Sequence, residues 1–230
     1  MKAALFLEGN VKAHYRFNSA AELSTWLSQL SGVKSCIIAS VTNAHLDFLP
    51  DLQKRCHTIL FNANTPVPLL NLYKSAATLG SDRLAVAIGA NTLMPHANVL
   101  SIDAGTCVKY NFVNQLNEYL GGAISPGIAM RLNAMHHFTA ALPMVDFNQN
   151  YSQTIGRSTT ESILSGALVA TACEIDGMIN RYIYDYPDLH VYITGGDAEY
   201  LCKQVKSRFF ANPDLLMIGL NTILEFNDKT

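Results

Sequence analysis

The chain has 230 residues, 49% of them hydrophobic and 15% charged, with a formal net charge of −2. Such a composition supports one large or two small buried cores and argues against disorder. It offers no basic stripe for nucleic acid and no apolar run expected to span a bilayer, and the stretch Ala3–Leu7 stops at Glu8, too soon for a signal peptide.

The elements follow in order. Ala3–Leu7 and Lys12–Phe17 are predicted strands joined by the hairpin turn Glu8-Gly9-Asn10. Ser19-Ala-Ala-Glu22 is a capping box, after which Leu23, Leu27 and Leu30 recur at helical spacing until Gly32. Cys36–Val41 reads as a strand, Leu46–Arg55 as a short helix and His57–Phe61 as a strand. Leu69–Ala90 reads as helical, broken at Gly80. Val99–Asp103 is a strand ending in Ala104-Gly105-Thr106; Cys107–Val113 is its hairpin partner and Tyr119–Ile124 a third strand. A helix follows Pro126-Gly127 with Ile128, Leu132, Met135 and Phe138 on one face. A longer helix opens with the capping box Ser158-Thr-Thr-Glu161 and carries Leu164, Leu168, Ala172, Ile175 and Ile179 on one stripe. Val191–Thr194 is a strand, Gly195-Gly196 a turn, Asp197–Val205 a helix and Leu215–Ile218 a last strand.

Two similar strand–hairpin–helix units in tandem imply a duplicated α/β fold, with subdomains at 1–98 and 99–230 and an active site in the cleft between them. The five cysteines, Cys36, Cys56, Cys107, Cys173 and Cys202, show no CxxC pair and no zinc spacing, which reads as reduced thiols in the cytoplasm.

Four segments carry candidate chemistry. In Asp103-Ala-Gly-Thr106 a glycine turn lets backbone N–H groups approach a phosphate, Thr106 adds a hydroxyl, and Asp103 can hold a cation. Gly80-Ser-Asp-Arg83 pairs a potential general base, Asp82, with a guanidinium suited to a carboxylate. Gly121–Gly127 enters a helix and could present amides to an anion, and Thr194-Gly-Gly-Asp197 leaves room for a nucleotide against the backbone. Taken alone, Asp103–Thr106 and Thr194–Asp197 are as readily a hairpin and a strand-to-helix turn, while Gly80–Arg83 and Gly121–Gly127 are more readily a helix start and a turn. His136 and His137 are adjacent on a helix, point apart, and read as structural.

Taken together and in register, the series is specific. Tyr73, Gly80-Ser-Asp-Arg83, Asp103-Ala-Gly-Thr106, Gly121-Gly-Ala-Ile-Ser-Pro-Gly127, Thr139-Ala-Ala-Leu-Pro143, Gly156-Arg-Ser-Thr159, Gly166 and Thr194-Gly-Gly-Asp197 resemble the type III pantothenate kinases from Lys2 onward. The resemblance implies the duplicated actin-like (ribonuclease H-like) fold of two mixed-sheet subdomains. It implies ATP-dependent phosphorylation of pantothenate, the first step towards coenzyme A, with Mg2+ and K+ or NH4+, by a cytoplasmic homodimer. Asp82 then matches the base; Tyr73, Gly80, Ser81, Asp82, Arg83 and Thr159 match substrate-contacting positions, Thr159 from the other subunit. Thr106 matches an ATP-contacting position and Asp103 the ligand of the monovalent cation. Members commonly have alanine where Ser81 stands.

Members open with Asp-x-Gly-Asn-Thr-x-x-Lys-x-Ala-x-Phe, of which Lys2, Ala4 and Phe6 match the end. The preceding strand and turn have no counterpart in this sequence, so the chain as it stands is expected to be inactive or nearly so and less stable in its first half. Two other readings are a non-catalytic pantothenate-binding or regulatory remnant, and a related sugar kinase, although the clustered cysteines of the zinc-bearing branch are missing.

Overall fold

The computed structural model describes residues 1–40 and 47–228. In chain order its elements are β1 (Lys2–Leu7), β2 (Asn10–Arg16), α1 (Ala20–Gln29), β3 (Ser35–Ala39), α2 (Leu49–Arg55), β4 (His57–Phe61), β5 (Leu70–Asn71), α3 (Ser81–Leu93), β6 (Val99–Ala104), β7 (Cys107–Val113) and β8 (Glu118–Pro126). These are followed by α4 (Ile128–His137), α5 (Thr159–Leu164), α6 (Ala170–Asp185), β9 (His190–Thr194), α7 (Ala198–Gln204), β10 (Phe210–Ala211) and α8 (Leu215–Asp228). Val41 and Leu46, predicted ends of the third strand and second helix, lie outside the described residues. Contacts divide the chain into two compact units: Met1–Pro95 with Asn117–Tyr119 and Asp214–Thr230, and His96–Leu116 with Leu120–Pro213.

In the first unit β1 and β2 form the expected hairpin. Leu7 pairs with Asn10, and the two turn residues, Glu8 and Gly9, both have positive φ (52° and 74°), the geometry that matches strand twist. Ser19 caps α1 by accepting from Glu22 N at 3.1 Å. The Glu22 carboxylate reaches one residue further back than a capping box requires, accepting from Asn18 N at 2.8 Å. No residue of α1 is buried; Trp26 packs against Tyr15 and Phe17, with ring centroids 4.6 and 5.2 Å away. Strands β3 and β4 run parallel, and they and the β1–β2 hairpin are two separate two-stranded sheets.

Two sequence-based expectations fail in this unit. Leu69–Leu79 is not helical. Leu70 and Asn71 pair with Glu118 and Tyr119, and the Asn71 side chain accepts from Tyr73 N at 3.0 Å, an Asx turn that draws the backbone away from a helix; a short 3-10 turn follows at Ala76–Thr78. Nor is Leu215–Ile218 a strand. It opens α8, where Leu215, Gly219, Leu220 and Ile223 form the buried face, and a four-residue apolar run cannot itself distinguish the two.

Helices α3 and α8 hold the unit together. From Arg83 to Asn91 every residue of α3 is buried. A Cβ on Gly89 would lie 2.0 Å from the Leu215 carbonyl oxygen, and one on Gly219 would lie 1.8 Å from that of Ala85, so glycine on each helix is what allows the contact. The ends of α8 are tethered: Asp214 lies 3.4 Å from His14, and Asp228 accepts from Ser35 Oγ at 2.6 Å and lies 2.9 Å from His57 Nδ1.

In the second unit the strand order is β10-β9-β6-β7-β8, with β6 antiparallel to β7 and parallel to β9, and β9 parallel to β10. This is the order and polarity of one half of the duplicated actin-like fold. By chain order β1 and β2 correspond to β7 and β8, and β3 and β4 to β9 and β10. Among the described residues no strand of the first unit takes the central position that β6 holds here. Ser158 caps α5 through Glu161 N, and Glu161 again reaches one residue back, to Arg157 N at 2.6 Å. Leu164, Leu168 and Ala172 are spaced by two successive steps of four, which overrun a helical turn; a π turn at Ser165–Val169 absorbs the excess and keeps the stripe buried. By length and composition the helical stretch Thr159–Asp185 is apolar enough to cross a membrane, contrary to the expectation from sequence, but its stripe lies in this unit's core.

Glu174 on α6 ties α6 to the end of β8, the first turn of α4 and β7. It accepts from Ser125 Oγ at 2.5 Å and Tyr110 OH at 3.2 Å and is paired with Arg131, whose Nε donates to the Pro126 carbonyl at 2.8 Å. Burial pushes the Glu174 carboxyl up, but the hydrogen bonds from Ser125 and Arg131, the Arg131 charge and the Tyr110 bond outweigh it and hold it below its ordinary value. Burial, chiefly, together with Glu174, drives the Tyr110 hydroxyl far above its own.

Two outcomes follow for stability. Gly219→Val forces α8 off the Ala85 carbonyl and is expected to cost about 1–3 kcal/mol, read as a lower denaturation midpoint. A carboxyl whose folded value is depressed stabilises above its unfolded value, and that contribution is lost as pH falls through the folded value. Glu174→Gln is therefore expected to cost about 1–2 kcal/mol at neutral pH, discounted for a carboxylate that still meets solvent. In melts recorded at successive pH values, the deficit should shrink below the ordinary value of 4.5.

Candidate functional site

The first unit carries one group of the predicted residues. Gly80 precedes α3 as its N-cap without a side chain, and Asp82 supplies what is missing: its Oδ1 accepts from Arg83 N at 2.9 Å. The carboxylate folds back so closely that a Cβ on Gly80 would lie 2.6 Å from it. An anion here faces the positive end of a 13-residue helix. Arg83 is buried, only 6% exposed, and its guanidinium lies 5.6 Å from the centroid of the Tyr73 ring. The Tyr73 ring in turn lies 6.1 Å from that of Tyr119. The turn at Asn71, not a helix, brings Tyr73 to Arg83. Ser81 is the first residue of α3 and half-buried.

The second unit carries the other group. Three glycine turns that are far apart in sequence meet at the C-terminal end of β6. Gly127 N donates to the Thr106 carbonyl at 3.1 Å, and a Cβ there would lie 1.9 Å from the Gly105 carbonyl oxygen. Asp197 N donates to the Ala104 carbonyl at 3.0 Å, and a Cβ on Gly195 would lie 2.1 Å from the same oxygen. Glycine at these positions lets the three turns close on one strand end, with the Gly105, Gly127 and Asp197 amides each donating to a carbonyl of the chain. Thr106 is exposed at the tip, and burial pushes the Asp197 carboxyl up.

Asp103 is engaged from within the chain. It stands opposite Lys109 in the β6–β7 ladder, and Lys109 Nζ lies 2.7 Å from its Oδ2, each side chain about 20% exposed. Thr159, the first residue of α5, is exposed. Among the described residues no three His, Cys, Asp or Glu side chains are grouped to hold a metal.

Tyr73, Gly80, Ser81, Asp82 and Arg83 are thus gathered at one helix start, and Asp103 and Thr106 at one strand end; Thr159 lies on a separate helix of the second unit. Sequence reading missed two contributors. Lys109 appeared only as part of a hairpin arm, although opposite charges flanking a tight turn signal a cross-strand pair. Glu174, which braces Ser125 and Arg131 beside the Gly127 turn, carries no local motif.

Comparison with known proteins gives the lineage. The family model described as type III pantothenate kinase matches residues 1–181. The type III pantothenate kinase of Flavobacterium johnsoniae is 34% identical over 98% of this chain and 93% of its own length. That of Phocaeicola vulgatus is 39% identical over 99% and 95%. A solved Campylobacter jejuni structure of the Baf family superposes with a TM-score of 0.60 at 20% identity, covering 94% of this chain and 92% of that one, a likeness of fold. With its motifs in register and its relatives matched almost end to end, this chain belongs to the type III pantothenate kinase family.

Proposed function

We propose that this chain transfers the γ-phosphoryl group of ATP to the primary hydroxyl of pantothenate, giving 4'-phosphopantothenate and ADP, the first step towards coenzyme A. Family membership supports the activity. The observation that carries the residue assignments is the start of α3, where Asp82 is held at the helix N-terminus beside a buried Arg83 stacked on Tyr73. An alcohol does not ionise at neutral pH, so a carboxylate within hydrogen-bond reach must take its proton as the oxygen attacks phosphorus. Asp82 has that role. The new P–O bond forms, the bond to the β-phosphate oxygen breaks, and ADP leaves with the electron pair. Arg83 and Tyr73 hold pantothenate, the guanidinium answering its carboxylate, with Gly80 and Ser81 lining the approach.

Thr106 takes the nucleotide phosphates where the glycine turns at the end of β6 let the backbone come close, and Mg2+ bound with ATP would neutralise phosphate charge. At Asp103 the resemblance implies K+ or NH4+, but the carboxylate already holds Lys109, so the residues present do not fit a free monovalent ion. The enzyme is a cytoplasmic homodimer in this reading, with Thr159 serving the partner's site. Support for a dimer comes from large apolar side chains left outside on the second unit, among them Phe138 and Ile155, each 80% exposed.

Asp82→Asn is expected to lower turnover by about 10²–10⁴-fold while calorimetry still detects pantothenate binding. Near-normal turnover in the variant would remove Asp82 from the mechanism, and pantothenate binding without turnover in the parent would mark a non-catalytic binder. Sedimentation at micromolar concentration is expected to give the mass of a dimer; a monomer would overturn the shared site.

A further inference from the structure

We propose that the Lys109 ammonium takes the place of the monovalent cation at Asp103, so that phosphoryl transfer by this chain requires neither potassium nor ammonium. The inference rests on the assignment of Asp103 above and deepens it.

The placement is set by the backbone. Six successive residue pairs join β6 to β7, and Asp103 opposite Lys109 is the fifth of them, one pair from the turn. Lys109 therefore starts from a fixed point directly across from the carboxylate, and its Nζ closes to 2.7 Å of Oδ2 with only about a fifth of either side chain exposed. A lysine head group is an alkylated ammonium ion: one positive charge on nitrogen, with N–H donors for oxygen acceptors. It brings to Asp103 what NH4+ would bring, without an encounter in solution and at the high effective concentration of a tethered group.

A potassium ion at the same oxygen would have to shed water and either expel Lys109 or sit beside a like charge in a site largely closed to solvent. Neither exchange gains charge for the site. Asp103 immediately precedes Ala104, whose carbonyl holds the Gly195–Asp197 turn, and Gly105, against which Gly127 packs. The internal pair thus balances charge where the three turns meet, independent of the salt outside.

The test uses the thallous ion, a monovalent probe read by thallium NMR, together with initial rates in KCl and in choline chloride at equal ionic strength. The parent chain is expected to show no saturable thallous binding, and its rate should change by less than about twofold between the two salts. Lys109→Thr and Lys109→Ala should each gain a saturable thallous site that disappears when Asp103→Asn is added. In choline chloride their rates should drop about tenfold or more, with recovery in KCl. Lys109→Arg should keep the parent's indifference to salt. Saturable thallous binding to the parent, abolished by Asp103→Asn, would overturn the inference and leave Asp103 a cation ligand. No thallous site in the parent or in either Lys109 variant, all folded by near-ultraviolet circular dichroism, would remove the cation role of Asp103 and the inference with it.

Discussion

Where α3 crosses α8, each helix presents a glycine to the other's backbone, so that peptide planes meet directly. Any Cβ there would stand about 2 Å from a carbonyl oxygen, a distance no rotamer can relieve. That contact decides where the start of α3 lies, and the start of α3 is where Gly80, Asp82 and Arg83 are held. The same constraint recurs in the second unit, where Gly127 and Gly195 close onto carbonyls at the end of β6. Backbone set directly on backbone leaves little slack, and the candidate residues lie beside both such points.

In the first unit the guanidinium of Arg83 is buried against an aromatic face, and Asp82 is satisfied by an amide of its own helix. In the second, carboxylates are matched by cations of the chain: Asp103 by Lys109 and Glu174 by Arg131. Glu174 also gathers a serine and a tyrosine hydroxyl, so a single side chain on α6 fastens the end of β8, the first turn of α4 and the middle of β7.

Local signals were readable in the sequence where a few neighbouring residues decide the outcome. Glu8-Gly9 specifies its hairpin because both turn residues need positive φ, and Ser19 and Ser158 announce their helices because each oxygen meets an orphan amide. The series of motifs identified the fold, and most of the residues it singled out lie in two local groups. What remained hidden depends on partners distant in the chain. Leu215–Ile218 is helical because its apolar face meets α3, which a four-residue window does not contain. The stretch before Gly80 leaves the helix through an Asn71 side-chain bond and pairs with Glu118 and Tyr119, neither of which helical periodicity registers. The Asp103–Lys109 pair requires the register of β6 on β7, and Glu174 requires the fold itself.

The place of α8 in the chain has a consequence for biogenesis. Helix α3 is translated well before α8, and all but a few residues of what lies between belong to the other unit. Until α8 emerges from the ribosome, the apolar flank of α3 has no helix to cover it. The second unit's sheet and its long helix are contiguous enough to consolidate first, so the nascent protein carries a folded middle and an unfinished beginning. The helix start that bears Asp82 is therefore among the last features to become rigid.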